Sequence, residues 1–314
     1  MVKEIAYVWP PQQCFESKQI SHFSSTNGKL ETIATVLTFV FTVTLNSLLL
    51  YALIKTKNTK NFTSRFLIII ACGDLLMACS IIPLHLYNVY EGTLNSCQNL
   101  RLVEDLLYVL CGTTTASLTL GICIDRYLFI RYSFQYSRII QEKTAIFNAY
   151  VIISFLLTSS IMVANVLHKV IFRFMIVIYV DLVAFSSLVI NIYLVCYIRK
   201  KGKNIRHITR TPVRARYQRR ALQTMMIITG FLVITYLPMI CLFTFAIYWE
   251  YSNDKKKVEP IASVLVVSNW SRLAVFLNAS LNALVYISRN EDIRKLYRKM
   301  FCAKLKKFGE RGKK

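Results

Sequence analysis

The amino-acid sequence predicts an all-α membrane protein: a seven-transmembrane helix bundle followed by a short amphipathic eighth helix. Hydrophobic residues make up 55% of the 314 residues, and charged residues make up only 18%. The net charge is +23, yet the mean hydropathy is +0.44, because the charges are concentrated in short runs between long apolar stretches. This distribution excludes a typical soluble enzyme and a nucleic-acid-binding protein, whose charges would cover a wet surface. We therefore expect no nucleic-acid partner.

Seven apolar stretches are long enough to cross a membrane as helices. A hydrocarbon core of about 30 Å requires about 20 apolar residues in helical conformation. Each stretch contains at most one charged residue, and none alternates as the shorter strands of an outer-membrane barrel would. The predicted spans are Thr32–Ile54, Phe66–Tyr90, Leu106–Ile124, Thr144–Leu167, Phe174–Ile198, Ala221–Trp249 and Ile261–Ser288.

The distribution of basic residues predicts the orientation of the bundle. Of the 39 lysines and arginines, 29 fall in the loops after spans one, three and five and in the C-terminal tail. Because basic loops stay in the cytoplasm, we expect a multi-pass plasma-membrane protein with its N-terminus outside. The basic face would meet the acidic lipid of the inner leaflet. The expected parts are an extracellular N-terminal segment (1–31), the bundle (32–288) and a cytoplasmic amphipathic helix with a basic tail (289–314).

The eighth helix is predicted by one apolar stripe on a basic segment. Apolar residues recur there at intervals of three and four, which is typical of a helix lying in the membrane interface. The stripe comprises Ile293, Leu296, Tyr297, Met300, Phe301, Leu305 and Phe308. Cys302, near the end of this helix, is either a palmitoylation site or an ordinary cytosolic thiol.

Several polar side chains fall inside the spans, where such groups are costly. Asp74 is the only charge of span two, and Asn278 and Asn282 are four residues apart on one face of span seven. With Asn46 and Thr115 they predict one polar cluster at mid-membrane. Residue types alone leave two interpretations open. The cluster is either a small-cation site or proton-linked switch, or a network that only holds helices together, at ~0.6 kcal/mol per bond.

A second set of residues is informative through its order along the chain. Asp125-Arg126-Tyr127 ends span three, and on its own it would be a surface ion pair worth about 0–1 kcal/mol. The other members of the set are Asn46, Asp74, Tyr193, Tyr236-Leu237-Pro238 and Asn282-Ala283-Leu284-Val285-Tyr286. In this order and spacing the chain resembles the rhodopsin-like (class A) G-protein-coupled receptors, and the resemblance extends over all seven spans.

The resemblance implies a receptor that binds an extracellular ligand and activates a heterotrimeric G protein. In that family the arginine that matches Arg126 changes partners on activation and meets the G protein, and here Asp125 would restrain it. Tyr193 and Tyr286 match two tyrosines that turn inward in active receptors. Pro238 removes a backbone hydrogen bond and is expected to kink span six, whose cytoplasmic end could then swing outward.

The resemblance also favours a switch over a purely structural polar cluster. Asp74, Thr115, Asn278 and Asn282 match the allosteric sodium pocket of the family, and Asn46 belongs to the same polar core. A sodium ion at Asp74 is therefore the one ion expected, and we expect no other metal and no cofactor.

Three departures from the family pattern concern the activation switch. Tyr236 stands where a tryptophan is usual, and Ala283 stands where span seven usually has a proline. Many relatives carry a second acid at the base of span six, where this chain has Gln218 in a stretch without any acid. We therefore predict a weak inactive-state lock and some activity without agonist.

The outer loops also depart from the family pattern. The predicted loop between spans four and five, residues 168–173, is only six residues long and contains no cysteine. The usual disulfide to that loop therefore cannot form. Cys14 and Cys97 form either a disulfide with each other or two free thiols. The short loop resembles that of the melanocortin receptors and, less closely, of the adenosine and cannabinoid receptors.

Ligand-binding candidates lie in the outer third of the bundle. They are His85, Glu104, Asp105, Tyr108, Asp181 and Arg272. Monoamine receptors carry an aspartate at the position of Tyr108, which argues against a standard amine receptor. The ligand class stays open between a peptide, a cationic small molecule and a lipid. The alternative is that Arg272 pairs internally with Glu104, Asp105 or Asp181, since intramembrane charges usually pair. Glu104 and Asp105 are expected close to water.

Three competing functions remain at this level. A transporter would need a polar path, but the chain has no internal repeat and an odd number of spans. An enzyme is not expected, because only His85 among four histidines lies within a span. A receptor-fold decoy or scaffold that does not couple to a G protein is favoured by Tyr236 and Ala283. The glycosylation sequon Asn61-Phe62-Thr63 lies in a predicted cytoplasmic loop.

Overall fold

The computed structural model describes residues 26–56, 62–91, 98–132, 143–167, 169–205, 212–251 and 261–300. Within these ranges the backbone is helical except at helix ends. The helices are α1 (Thr26–Lys55), α2 (Phe62–Leu76 and Ile82–Glu91, joined by a π-helical segment at Met77–Ile81), α3 (Gln98–Arg131), α4 (Lys143–Leu167), α5 (Lys169–Ile205), α6 (Pro212–Tyr251), α7 (Ile261–Arg289) and α8 (291–300). Each predicted span lies within one of the first seven helices, which confirms the all-α bundle.

Five of the described helices are long and apolar enough to cross a membrane. The qualifying segments are Asn27–Lys55, Thr63–Tyr87, Val103–Arg131, Phe174–Ile198 and Met226–Phe245. The described apolar part of α4, Asn148–Ser160, is shorter. Helix α7 is less apolar because Asn269, Arg272, Asn278 and Asn282 lie along it. These polar residues are buried or half-buried, so they face the bundle and not the lipid.

Helix α3 is the central helix of the bundle. In its most apolar window 72% of the residues are buried, against 28–44% in the other spanning helices. It packs against α2, α4, α5 and α6. The contact with α2 and α4 is close at Gly121, where an added Cβ would come within 2.8 Å of the rings of Phe66 and Tyr150. Those two rings meet edge to face at 5.9 Å, so only a glycine fits between them.

The outward faces of the helices carry large apolar side chains. Phe185 and Ile234 are both 67% exposed, and Leu182 is 60% exposed. A soluble monomer rarely exposes contiguous apolar surface on this scale. A bilayer solvates such side chains, so the outer surface agrees with membrane insertion.

The eighth helix begins with a side-chain cap and is joined to α1. Asn290 Oδ1 accepts hydrogen bonds from the backbone N–H groups of Asp292 (3.0 Å) and Ile293 (3.2 Å). Ile293 is buried. The Tyr297 hydroxyl donates to the backbone carbonyl of Leu48 at 2.5 Å. These contacts place α8 at the same end of the bundle as Arg126.

The predicted loop between spans four and five is wrong in length. Helix α5 begins at Lys169, so the residues from Lys169 onward are helical, and only residue 168 separates α4 from α5. The sequence Lys169-Val170-Ile171-Phe172-Arg173 contains no glycine or proline, and nothing in it stops a helix.

Candidate functional site

The Asp125-Arg126-Tyr127 triplet lies in the last turns of α3, beside the start of α2. Arg126 Nη2 donates a hydrogen bond of 2.5 Å to Thr63 Oγ1. The Thr63 hydroxyl in turn donates to Asp125 Oδ2 at 2.7 Å. Asp125 is 1% exposed, and Thr63 is also buried. Thr63 therefore links the acid and the arginine of the triplet through one hydroxyl group, and Arg126 also lies 6.0 Å from the ring of Phe129.

The two tyrosines expected near this switch occupy different environments. The ring of Tyr193 packs against Tyr127 at 5.6 Å and stacks on Tyr197 at 6.1 Å. Tyr193 is 42% exposed. Tyr286, by contrast, is buried in a core cluster with Ile122 and Ile228. Tyr193 thus lies on the outside of the helix bundle, and Tyr286 lies within it.

Tyr236 connects α6 to the middle of α3. Its hydroxyl donates to the backbone carbonyl of Gly112 at 2.9 Å, and the side chain is buried. A Cβ at position 112 would lie 3.3 Å from this hydroxyl oxygen, so the glycine allows the close approach. Pro238 follows two residues later inside α6 and leaves one carbonyl of the preceding turn without its helical partner.

The predicted polar core is buried at the contact of α1, α2, α3 and α7. Thr115 Oγ1 lies 3.5 Å from Asp74 Oδ1. Asn46 Nδ2 donates to the carbonyl of Ala279, next to Asn278, at 3.3 Å. Asn46, Asp74, Asn278 and Asn282 are each less than 5% exposed. The expected residues are thus buried, and the distances bring Asp74 to Thr115 and Asn46 to α7.

This core contains more acceptor oxygens than the described residues satisfy. Buried polar groups normally have hydrogen-bond partners, since an unsatisfied one costs about 1–3 kcal/mol. The side-chain atoms without a hydrogen-bond partner here include Asp74 Oδ2, Asn46 Oδ1, Asn278 Oδ1 and both polar atoms of Asn282. Carboxylate and amide oxygens are the ligands that hard cations prefer, so the donor set fits a sodium ion. The described residues contain no group of three His, Cys, Asp or Glu that could hold a metal ion.

A network of charged and polar side chains lies at the opposite end of the bundle. Arg272 Nη1 donates to Glu104 Oε1 at 2.6 Å, and Arg272 Nη2 donates to Asp105 Oδ1 at 2.8 Å. His85 Nδ1 lies 2.8 Å from the same Glu104 oxygen. On its other side, His85 Nε2 is 3.9 Å from Glu31 Oε1. The network links α1, α2, α3 and α7, and it confirms that Arg272 pairs internally.

Two of the acidic residues lie in surroundings other than those expected. Glu104 was expected close to water, but it is 3% exposed. It is buried because its carboxylate contacts His85 on α2 and Arg272 on α7. Asp181 was expected either in the ligand site or paired with Arg272, but its side chain is exposed on α5 between the buried Val180 and Val183. Helical periodicity turns it outward, away from Arg272.

A cavity lies below this network, between α3, α5, α6 and α7. Its wall is mostly apolar, and Tyr108, Thr113 and Tyr236 supply its hydroxyl groups. The apolar part of the wall includes Val109, Ile176, Val180, Ile240, Phe243 and Val275. Tyr108 also packs edge to face against Phe276 at 5.8 Å and lies 5.6 Å from the Arg272 guanidinium. Tyr108 is therefore the residue common to the cavity and the charged network.

Several predicted sites lie outside the described residues. They are Cys14, Cys97, Cys302 and the side chain of Gln218. Their predicted disulfide, lipidation and missing-acid roles stay predictions. The described cysteines are free thiols: Cys72, Cys79, Cys111, Cys123, Cys196 and Cys241.

Sequence reasoning missed three residues that join helices at these sites. Thr63 contacts the Asp-Arg-Tyr triplet, and Glu31 and Asn269 extend the charged network, with Asn269 Nδ2 donating to Glu31 Oε2 at 3.2 Å. Glu31 falls one residue before the first apolar window, and this position hid it. A buried threonine gives no sequence signal, because threonines also occur in spans as hydrogen-bond donors to their own helix, as Thr35 does.

Comparisons with known proteins agree with this geometry. Residues 45–286 match the family model described as 7 transmembrane receptor (rhodopsin family). The comparison with curated proteins found no significant match to the chain. The matched region covers more than half of the chain, from Asn46 through the Asp-Arg-Tyr triplet to Tyr286. The chain therefore belongs to the rhodopsin family of seven-transmembrane receptors.

Proposed function

We propose that the protein is a plasma-membrane receptor that binds an extracellular ligand and activates a heterotrimeric G protein. Members of its family are receptors, not enzymes, and the apolar helices support a multi-pass membrane protein. The observation that carries the proposal is the arrangement of Arg126. It is held by an uncharged hydroxyl, that of Thr63, at the end of a bundle whose loops hold most of the basic residues. A partner protein that offers Arg126 an acceptor of its own could replace this contact.

The orientation belongs to the same proposal. Positive loops favour the cytoplasmic side, so the Arg126 end faces the cytoplasm and the Glu104 end faces outward. The basic loops then meet acidic lipid of the inner leaflet as well as the G protein. The grouping with the melanocortin, adenosine and cannabinoid receptors, which rests on the short outer loop of the sequence, is part of the same proposal.

Sodium binding at Asp74 is the second part of the proposal. The partnerless oxygens of Asp74, Asn46 and Asn278 would coordinate the ion, and Thr115 would hold the other carboxylate oxygen. A bound cation would neutralise the buried carboxylate and hold α1, α2 and α7 together. Loss of the ion would free α7, which carries Asn282 and Tyr286.

The test is ligand-free activation of G proteins in cells, measured for each of the four G-protein classes at matched surface expression. We expect activity in the wild type and a loss in Arg126→Ala. Arg289→Ala is the control, because it removes an exposed arginine at the same end of the bundle. If Arg289→Ala lowers the signal as much as Arg126→Ala, the signal reports positive charge at this end and not the switch.

If the wild type, Arg126→Ala and Arg289→Ala all fail to activate a G protein without ligand, the result favours the decoy or scaffold function. Tyr236 and Ala283, which depart from the family pattern, also favour that function. Both residues are buried where they stand, Tyr236 on Gly112 and Ala283 in the core near Tyr286. Adding a library of ligands to the inactive wild type distinguishes a decoy that does not couple from a receptor that requires an agonist. Activation by any member would establish coupling that requires an agonist.

A further inference from the structure

We propose that the lipid-facing side of α5 binds a single transmembrane helix of another membrane protein, and that a lysine or arginine of this helix pairs with Asp181. This partner is additional to the ligand and the G protein, and it lies beside the bundle within the membrane. The observation behind it is a charge in an unusual place: Asp181 is exposed on an otherwise apolar outer face of its helix.

Asp181 lies well inside the apolar part of α5. Counted from Phe174, it is the eighth residue of the 25-residue segment Phe174–Ile198. At 1.5 Å per residue it is about 10 Å along the helix from the start of that segment and about 8 Å from its middle. A carboxylate at this depth is costly when only hydrocarbon surrounds it, so intramembrane charges usually face the bundle interior or pair with one another.

The chain gives Asp181 no partner among the described residues. Its carboxylate makes neither a hydrogen bond nor an ion pair there. The other acids of the spans differ from it, since Asp74 is buried and Glu104 pairs with Arg272. The residues one turn away from Asp181 along α5 are all apolar: Val177, Ile178, Ala184 and Phe185.

The exposed side chains around Asp181 form an apolar stripe with a seven-residue repeat. Spacings of four and three residues alternate along it, as on the contact surface of paired helices. Asp181 is its only polar member, and a single polar residue in such a repeat specifies register and partner. Since lipid solvates the apolar members as well, the charge decides which helix binds. The stripe consists of Phe174, Ile178, Asp181, Phe185, Leu188 and Ile192.

The charge of Asp181 requires a basic partner, and a second copy of this chain does not supply one. A two-fold axis along the membrane normal would bring two Asp181 carboxylates together. Other faces of a second copy offer no cation at this depth, because the exposed lysines and arginines of the described residues lie at or beyond the ends of the apolar segments, as Lys29, Lys55 and Lys200 do. A foreign helix with a lysine or arginine at matching depth would neutralise both charges.

A helix bound to this stripe would act on the part of the bundle that joins α5 to α6. On the inner side of α5, Asn191 Nδ2 donates to Thr229 Oγ1 of α6 at 2.8 Å and lies 3.6 Å from Cys123 Sγ of α3. All three residues are buried. A partner that shifts or rotates α5 would disturb these contacts, so it would modulate the receptor from the side of the bundle.

Three synthetic helices test the pairing. Each is a single-pass helix of leucine and alanine with an acceptor dye, and they differ only at the depth of Asp181, where they carry lysine, leucine or glutamate. The full chain, with a donor dye on its C-terminal tail, is placed in phosphatidylcholine vesicles and titrated with each helix. Energy transfer gives the mole fraction of helix at half-saturation. We expect the lysine helix to bind about tenfold more tightly than the leucine helix.

Two results of this titration would overturn the proposal. Equal binding of the lysine and leucine helices would show that the charge selects nothing. A glutamate helix that binds as tightly as the lysine helix would show that Asp181 pairs with a carboxylic acid and not with a cation.

Matched variants locate the contact on α5. Asp181→Leu should remove the preference for the lysine helix, and Asp181→Glu should retain it. Asp181→Asn is the second uncharged variant if Asp181→Leu fails to fold. Asp292→Asn, which removes an exposed acid on α8, should leave the preference unchanged. A preference for lysine that persists in both uncharged variants would refute the site.

The apolar stripe has its own matched pair of variants. Phe185 on α5 is 67% exposed, and Phe41 on α1 is 57% exposed. Helix α1 packs against α2 and α7, away from α5. Phe185→Ala should weaken binding of the lysine helix about threefold, and Phe41→Ala should not change it. Equal effects of the two variants would contradict binding along the stripe.

Energy transfer between two copies of the chain tests the alternative occupant. Donor-labelled and acceptor-labelled copies are mixed in the same vesicles without any synthetic helix. We expect the same transfer for the wild type and for Asp181→Leu. Self-association that depends on Asp181 would overturn the proposal and assign the stripe to a second copy.

These outcomes are independent of G-protein coupling, because the vesicles contain no G protein. Selective binding of the lysine helix without any cellular signal would uphold the partner and contradict the coupling. A cellular signal lost in Arg126→Ala, without selective binding of the lysine helix, would uphold the receptor and contradict the partner.

Discussion

Thr63 and Arg126 are joined by one hydrogen bond of 2.5 Å, from the arginine Nη2 to the threonine Oγ1. The same hydroxyl donates to Asp125, so a single side chain of α2 fixes both charged residues of the triplet. Many relatives restrain the arginine with a second acid on span six, but this chain has Gln218 there. In this structure Arg126 thus donates a hydrogen bond to a neutral hydroxyl of α2.

Replacement of Thr63 by valine is expected to raise ligand-free G-protein activation. Valine keeps the shape of the side chain but removes the hydroxyl, and hydrogen bonds to charged groups contribute about 1.5–3 kcal/mol. The expected rise is about tenfold, read from nucleotide exchange at matched surface expression. Thr56→Val is the control, since its hydroxyl contacts only its own helix at Ala52 and Leu53. Equal signals from both variants and the wild type would show that Thr63 does not restrain Arg126.

Replacement of Gln218 by glutamate should have the opposite effect. A carboxylate at the base of span six would offer Arg126 the charged partner that this chain lacks, and ligand-free signalling should fall. The same assay measures it, with Gln223→Glu on the same helix as the control for added charge. A signal that Gln218→Glu leaves unchanged would contradict the predicted weak lock.

Removing only one partner of the Arg272–Glu104 pair is expected to destabilise the bundle more than removing both. Arg272→Gln leaves Glu104 buried beside His85 without its main cation, and breaking such a pair costs about 3–5 kcal/mol. Thermal unfolding of the purified receptor should show a lowered midpoint. Adding Glu104→Gln to Arg272→Gln should recover part of the loss, whereas Asp105→Asn alone should cost less, because Asp105 is 48% exposed. Additive losses in the double variant would exclude coupling between Arg272 and Glu104.

Gly121→Ala is expected to destabilise the receptor by about 1–3 kcal/mol. The added methyl group would lie 2.8 Å from the rings of Phe66 and Tyr150, which already contact each other. Gly230→Ala provides a matched control, because nothing lies within 4 Å of a Cβ there and alanine favours a helix. Thermal midpoints should therefore fall for position 121 and stay level or rise for position 230. A level midpoint at 121 would mean that the two rings move apart at little cost.

Sodium should raise the thermal stability of the receptor through Asp74. Sodium chloride is compared with choline chloride at equal ionic strength, so that screening is matched. Asp74→Asn removes the charge that the ion would meet and should abolish the difference between the two salts. Asp181→Asn is the control, since Asp181 lies on the outer face of α5. A sodium effect that survives in Asp74→Asn would place the ion elsewhere.

The sequence alone was sufficient to predict the seven spanning helices and the polar residues that stand out within or next to the apolar stretches. Long windows with at most one charge predict each of the seven spans, because a helix satisfies its own backbone in lipid and none of the windows alternates as a barrel strand would. Asp74, Asn46 and the Asp-Arg-Tyr triplet are conspicuous since polar groups are rare in such windows. Their burial, and the contact of Asp74 with Thr115, agree with the predicted cluster.

The remaining contacts depend on helix rotation and tilt, which spacing does not determine. Asp181 was placed in the ligand site because it is charged and near the outer end, yet its helix turns it outward. The contacts of Thr63 and Glu31 were not predicted, because the neighbouring residues in the sequence do not indicate which helix each side chain faces. The length of α5 was underestimated because the basic residues Lys169 and Arg173 suggest a loop, although neither stops a helix.

The junction between α4 and α5 has a consequence for access to the cavity. Leu167 ends one helix and Lys169 begins the next, so the chain has no slack there to fold back over the bundle. Any segment that covers the outer end of the bundle must therefore come from other parts of the chain.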